Sequence, residues 1–200
     1  NKKLHILHLS TAEEVEINRQ HKLTNLITAE TTPQHLLLES PDIYDRIGSL
    51  GQMNPPIREK YHQDELWRGL RDGTIHCIAT DHAPHTLEEK NNPYEKSPAG
   101  MPGVETSLPL MLNQVTQGNI ELTDVVKWMC ENVTKIYGIK NKGFIKAGYD
   151  ADITIIDMAK EKIICAETMQ SKCGWSAFEN QQIKGWPVIT IVNGNIVYDR

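Results

Sequence analysis

The residues with the clearest chemical content are Ala79-Thr80-Asp81-His82-Ala83-Pro84-His85, which close the mostly apolar run beginning at Ile75. An aspartate followed within four residues by two histidines offers a hard metal ligand or proton carrier and two imidazoles in one short stretch. The same string also fits an aspartate that caps the next helix, beside surface histidines. His8 closes the run Leu4 to Leu9 much as Asp81 closes its own. Side chains alternate along a strand, so His5 and His8, three apart, point to opposite faces and only one can look into a given site. His8, nearer the C-terminal end, is the better ligand; a satisfied core histidine is the alternative.

Two loops add groups suited to a small polar molecule. In Met53-Asn54-Pro55-Pro56-Ile57-Arg58 the prolines stiffen the backbone beside the Asn54 amide, and the Arg58 guanidinium can fork onto a carboxylate. A proline-stiffened surface turn would read the same way. In Ser97-Pro98-Ala99-Gly100-Met101-Pro102-Gly103 the glycines permit close approach of backbone to a ligand, ahead of a helix N-terminus that favours an anion. As a lone glycine-rich turn this string is unspecific.

These groups need a scaffold, and the first half of the chain supplies alternating strand-like and helix-like runs. Strands are expected over Leu4 to Leu9, Leu26 to Thr31 and Ile75 to Thr80. Between them fall a helix from Thr11 to about Lys22, capped by Ser10 or Thr11, and a helix from Asp64 to Arg71 stopped by Gly73. A long loop runs past Pro33, Pro41, Pro55 and Pro56. Such alternation predicts a parallel sheet of βα units, and in α/β barrels the chemistry gathers at the C-terminal strand ends. Helices are expected over Glu105 to Gln117 and Thr123 to Tyr137, the latter stopped by Gly138. After Gly148 the texture changes to short strands: Ala151 to Asp157, Lys162 to Cys165, Val188 to Asn193 and Asn195 to Tyr198. Asn193-Gly194 is a type I′ hairpin signal between the last two.

Composition narrows the classes. The chain has 200 residues, 39% of them hydrophobic, and a net charge of −5 without a long run of like charges. That argues for a globular domain and against nucleic acid or a membrane surface as partner. Cys77, Cys130, Cys165 and Cys173 form no C-x-x-C pair, so neither a zinc knuckle nor a disulfide framework is indicated, and a reducing cytoplasm fits. Asn1-Lys2-Lys3 leads without preamble into a buried-type strand, from which truncation at the N-terminal side is expected.

Taken in order, these strings resemble the C-terminal part of a dihydroorotase of the amidohydrolase superfamily. The likeness covers essentially the whole chain. It runs through His8-Leu9-Ser10-Thr11, Thr28-Ala29-Glu30-Thr31-Thr32-Pro33-Gln34-His35-Leu36-Leu37-Leu38 and the Met53 to Arg58 loop. It continues through Asp81-His82-Ala83-Pro84-His85, Gly100-Met101-Pro102-Gly103-Val104-Glu105-Thr106 and Gly148-Tyr149-Asp150-Ala151-Asp152. The D-H-A-P-H string favours dihydroorotase over the related hydantoinases, dihydropyrimidinases and allantoinases.

The resemblance implies an α/β fold: the last strands and helices of a (β/α)₈ barrel over residues 1–145, then a small β-sandwich segment over 146–200. It implies a binuclear Zn2+ site, with His8 a ligand of one ion and Asp81 a ligand of the other and the catalytic proton carrier. Asn54 and His85 would bind substrate, His85 at its carboxylate, and backbone at Ala99 and Gly100 would contact the ring; Arg58 is a weaker candidate. The implied reaction is reversible hydrolysis of dihydroorotate to N-carbamoyl-L-aspartate in pyrimidine biosynthesis. The family's first-strand H-x-H, bridging residue and fifth-strand histidine have no counterpart in these 200 residues. The chain alone is therefore expected to be inactive, and with open sheet edges to be unstable unless the rest is supplied. Two other readings fit the strings: a non-catalytic dihydroorotase-like subunit supporting aspartate transcarbamoylase, and another cyclic amidohydrolase. A homo-oligomer or a transcarbamoylase complex is the expected assembly.

Overall fold

The computed structural model describes residues 2–21 and 26–199. Its contacts divide into two compact units, Asn1–Glu105 with Ile164–Asn180, and Thr106–Ile163 with Gln181–Arg200.

The first unit is built on a parallel sheet in the order β1 (Leu4–Ile6), β2 (Ile27–Thr31), β3 (Cys77–Ile78), with His5 opposite Thr28 and Glu30 opposite Cys77. The strands are shorter than their apolar runs suggest. Pairing nonetheless continues past their ends, since the Leu9 amide donates to the Glu30 carbonyl and the Ala79 amide to that of Thr31.

Helix α1 (Ala12–Gln20) begins at Thr11, whose hydroxyl accepts from the Glu14 amide while the Glu14 carboxylate takes the Thr11 and Ser10 amides in return. The expected end near Lys22 lies outside the described residues. The stretch after β2 holds more regular structure than its prolines suggest. Thr32 caps α2 (Pro33–Leu37), with Pro33 in the first turn, where a missing N–H costs nothing. Then come α3 (Asp42–Ile47) and a 3₁₀ turn, Gly48–Gly51. Helix α4 (Lys60–Asp72) starts four residues earlier than expected and ends where Gly73 takes φ 77°. Four-residue α5 (Leu87–Lys90) follows β3. Val15, Ala29, Leu36, Leu66, Leu70 and Ile75 form the buried core of this unit.

The second unit is a helical stretch and an antiparallel sheet. Helix α6 (Ser107–Thr116) buries Leu110, Met111 and Leu112. The single helix expected from Thr123 to Tyr137 is α7 (Leu122–Val126) and α8 (Asn132–Tyr137) joined by a π-helical turn at Lys127–Glu131. The last strands pair in the order β4 (Ile153–Ile163), β5 (Gln182–Val192), β6 (Asn195–Asp199). The two strands expected before residue 166 are one, whose register breaks between Asp157 and Glu161. At the hairpin Asn193 and Gly194 have φ 49° and 77°, the positive values a type I′ turn requires. No helix among the described residues is long and apolar enough to cross a membrane.

Candidate active site

His8 and Asp81 share a backbone property that their sequence does not announce. Each lies just beyond a strand of the parallel sheet and each has positive φ, 36° and 42°. Positive φ is uncommon outside glycine, though Asn, Asp and His adopt it more readily than most, and it persists only where surroundings over-determine it. Here the surroundings are the flanking bonds. Past His8 the Leu9 amide returns to Glu30 and the Leu9 carbonyl accepts from the Thr31 hydroxyl, while before Asp81 the Thr80 carbonyl accepts from the buried Gln34 amide. β2 lies between the two strands, so His8 and Asp81 rise on either side of its end. Both are half-buried, and among the described residues neither ring nor carboxylate takes a hydrogen bond or ion pair.

Buried His35 in α2 senses both groups. Burial pushes its pKa below the ordinary histidine value; its bond to the Pro55 carbonyl pulls the other way, His8 lowers the value further and Asp81 raises it. The neutral ring's tautomer follows from its partners: Nε2 donates to the Pro55 carbonyl at 2.9 Å, so Nδ1 accepts from the Thr32 hydroxyl at 2.8 Å. His35 thereby fastens the loop that carries Asn54, which is exposed, as is Arg58. The sequence signal for His35 is the cap: Thr32 followed by Pro33 puts residue 35 at the third position of a helix starting beside the sheet.

The two histidines after Asp81 do different work. His82 Nδ1 accepts from the amides of Gly103 and Val104 at 3.0 and 3.3 Å, and a β-bridge joins His82 to Met101. His82 therefore holds the glycine-containing loop in place. His85 is half-exposed, with Nδ1 3.9 Å from a Glu89 carboxylate oxygen, and its carbonyl accepts from the Trp175 indole. Ala99 is half-buried and Gly100 buried. Gly100 has φ 132°, and a Cβ there would stand 2.4 Å from that of Ala83, so only glycine lets this loop lie against the Ala83 methyl group. The Asn54 and Gly100 loops meet through the Gly100 amide, which donates to the Gln52 carbonyl at 2.9 Å.

A second group of potential ligands lies on the sheet itself. His5, Glu30 and Cys77 bring a ring nitrogen, a carboxylate oxygen and a thiol within 4.8 Å of one another, which makes them a possible metal-binding group. Strand register explains it: His5 pairs across from Thr28, Thr28 and Glu30 share a face, and Cys77 lies opposite Glu30. His5 Nε2 and Glu30 are 2.9 Å apart, and burial, with the neighbouring carboxylate, pushes the Cys77 thiol up to about 12. In this arrangement the thiol stays protonated and His5 and Glu30 are each other's partners. His5 lies within β1, whereas His8 lies beyond the strand's end with positive φ, so the alternation expected to separate them does not extend to His8. A cavity of about 430 Å³ lined by Arg46, Trp175, Ser176 and Glu179 belongs to the same unit and includes none of the residues singled out above for chemistry.

Comparison with known proteins bears on this arrangement. Residues 4–197 match the model of the Amidohydrolase family. The dihydroorotase of Endomicrobium trichonymphae is 44% identical over 197 residues, covering 98% of this chain and 46% of that protein. The dihydroorotase of Pyrococcus furiosus is 41% identical over 198 residues, 99% of this chain and 45% of its own length. Among solved structures, the L-hydantoinase (dihydropyrimidinase) of Arthrobacter aurescens superposes with a TM-score of 0.92 at 32% identity, over 98% of this chain and 45% of that one. The dihydropyrimidinase of Brevibacillus agri gives 0.92 at 29%, with the same coverage. The chain spans about half the length of the curated relatives it matches.

Proposed function

The chain belongs to the amidohydrolase family, and on that premise we propose that the protein carrying it is a zinc-dependent dihydroorotase. It would interconvert dihydroorotate and N-carbamoyl-L-aspartate in cytoplasmic pyrimidine biosynthesis. The observation that carries the site is the shared posture of His8 and Asp81: left-handed, half-buried and, among the described residues, without a hydrogen bond or ion pair, just beyond two strands of one parallel sheet. An imidazole and a carboxylate so placed are the donor types zinc takes, and His8 would ligate one ion and Asp81 the other. Zinc, when bound, polarises a carbonyl and makes hydroxide available near neutral pH.

The chain's own residues divide the remaining work. Asp81 accepts the proton of the attacking water and passes it to the departing ring nitrogen. Asn54 and His85 hold the substrate, His85 at its carboxylate, and the backbone of Ala99 and Gly100 lies along the ring. Since each zinc needs three or more protein ligands, two donors do not close a binuclear centre, and these 200 residues alone are inactive in this reading. Residues 1–145 would complete a barrel and 146–200 a small β-sandwich with segments outside this chain.

The dihydroorotase relatives favour this substrate, while the hydantoinase and dihydropyrimidinase superpositions favour a ring without the carboxylate. A panel of dihydroorotate, hydantoin and dihydrouracil, assayed on the full-length protein, separates the two. Dihydroorotate should be hydrolysed with the highest kcat/KM; preference for dihydrouracil would replace our reading with the second.

A further inference from the structure

Lys90 closes α5 with no exposed surface at all, an unusual place for an ammonium. Its three N–H donors go to three backbone carbonyls: Gln52 at 2.9 Å, Pro98 at 2.9 Å and Gly100 at 3.1 Å. Gln52 immediately precedes the Met53 to Arg58 loop, and Pro98 and Gly100 belong to the glycine-containing loop. The main chain of Lys90 repeats the connection, because its carbonyl accepts from the hydroxyls of Ser49 at 2.8 Å and Ser97 at 3.1 Å. One residue thus binds the same two segments twice, once by each end. The ammonium also stands 5.7 Å from the centre of the Trp175 ring, whose indole N–H holds the His85 carbonyl.

We propose that Lys90 is the positioning residue of the substrate site, fixing the Asn54 loop against the Ala99–Gly100 loop so that both present their groups to one small ligand. This rests on the reading of those loops as substrate-binding. The choice of side chain supports it. Burial pushes the Lys90 pKa down to about 8, so the charged form is held at a cost that a methionine of similar length would not incur. What methionine lacks is three directed donors: without them the Pro98 and Gly100 carbonyls lose the donor they have, and the Gln52 carbonyl keeps only the Gly100 amide. A residue needed only to fill space would be apolar.

The test uses the full-length protein and two readouts, steady-state kinetics on dihydroorotate and amide hydrogen exchange. In Lys90→Met, exchange of the amides from 99 to 101 should accelerate about tenfold while those of β2 stay protected, and KM should rise about tenfold with kcat changed less than threefold. Lys90→Arg, which keeps charge and donors, should reverse at least half of that rise in KM. Should Lys90→Met not fold, Ser97→Ala removes one hydroxyl bond to the Lys90 carbonyl, with the same pattern expected at about threefold. Wild-type protection of 99–101 in the variant that folds would overturn the tie. Faster exchange with unchanged KM would make Lys90 structural only and overturn the positioning role. If the wild type does not turn over dihydroorotate, the substrate reading fails by itself, and the exchange measurement still decides whether Lys90 ties the loops.

Discussion

The parallel sheet β1-β2-β3 and the antiparallel sheet β4-β5-β6 have the same number of strands and use them in opposite ways. The antiparallel strands β4 and β5 run eleven residues each, while β1, β2 and β3 run three, five and two. In the parallel sheet the backbone leaves the strands early and is caught by bonds from neighbouring segments, as at Leu9, Ala79 and Thr80. Every candidate site residue, from His8 to Gly100, belongs to that unit. Regular pairing satisfies the backbone but leaves it little freedom to aim a group; short strands with caught ends supply that freedom at the cost of strain.

If the caught strand ends exist to aim chemistry, the largest effect should come from a change that keeps the backbone and removes the proposed proton carrier. Asparagine tolerates positive φ as well as aspartate does. Asp81→Asn in the full-length protein should therefore keep thermal stability within about 1 kcal/mol while kcat falls about 10³-fold, the range of general acid–base catalysis. Unimpaired turnover in that variant would place the acid–base group elsewhere.

Two glycines sharpen the contrast, because each sits where a Cβ collides, one in each unit. Gly100 meets Ala83 at 2.4 Å, and Gly185, φ 98°, meets Leu112 at 2.8 Å where β5 packs on α6. Alanine at either position should cost about 3 kcal/mol from overpacking and an unfavourable φ, read as a drop in denaturation midpoint. Only Gly100→Ala should also raise KM, since only that loop is assigned to substrate. If Gly185→Ala raised KM equally, activity would track global stability and the functional division between the units would fail.

How much of this was legible in the residues differs between the same regions. The turn at Asn193-Gly194 is written locally, because only a few residue types accept positive φ at both central positions. Helix α1 is equally local, since its cap lies within four residues. The residues locate the strands of the parallel sheet but not their lengths, because their ends depend on partners such as Glu30 and Thr31, which are distant in sequence from Leu9 and Ala79. The stretch of α2 and α3 reads as loop because prolines dominate the string, although Pro33 in a first helical turn starts a helix rather than breaking one. For the site, residue type identified His8 and Asp81 as candidates, and backbone angles supplied their shared posture. Lys90 carries no local signal at all: a lysine after two glutamates reads as a solvated helix end, and only the fold brings three carbonyls around it.

The smallest expected effect concerns pH, and it again separates the two sheets. His35 lies beside the caught strand ends, and burial, foremost, holds its pKa below the ordinary value of 6.5. The unfolded chain then takes up a proton as pH falls through 6.5, while the folded protein resists until its own lower value is reached. Stability is thus unaffected by His35 above pH 6.5 and is lost as pH drops below it, at no more than about 1.4 kcal/mol per pH unit for one proton. Glutamine at position 35 can still donate to the Pro55 carbonyl but does not titrate. Comparing unfolding free energies at pH 7.5 and 5.5, the wild type should lose about 1 kcal/mol more than His35→Gln, with the excess confined to amides of the first unit in hydrogen exchange. Parallel losses in the two proteins would mean that His35 is protonated as readily in the fold as out of it, and that the caught strand ends are wetter than their burial implies.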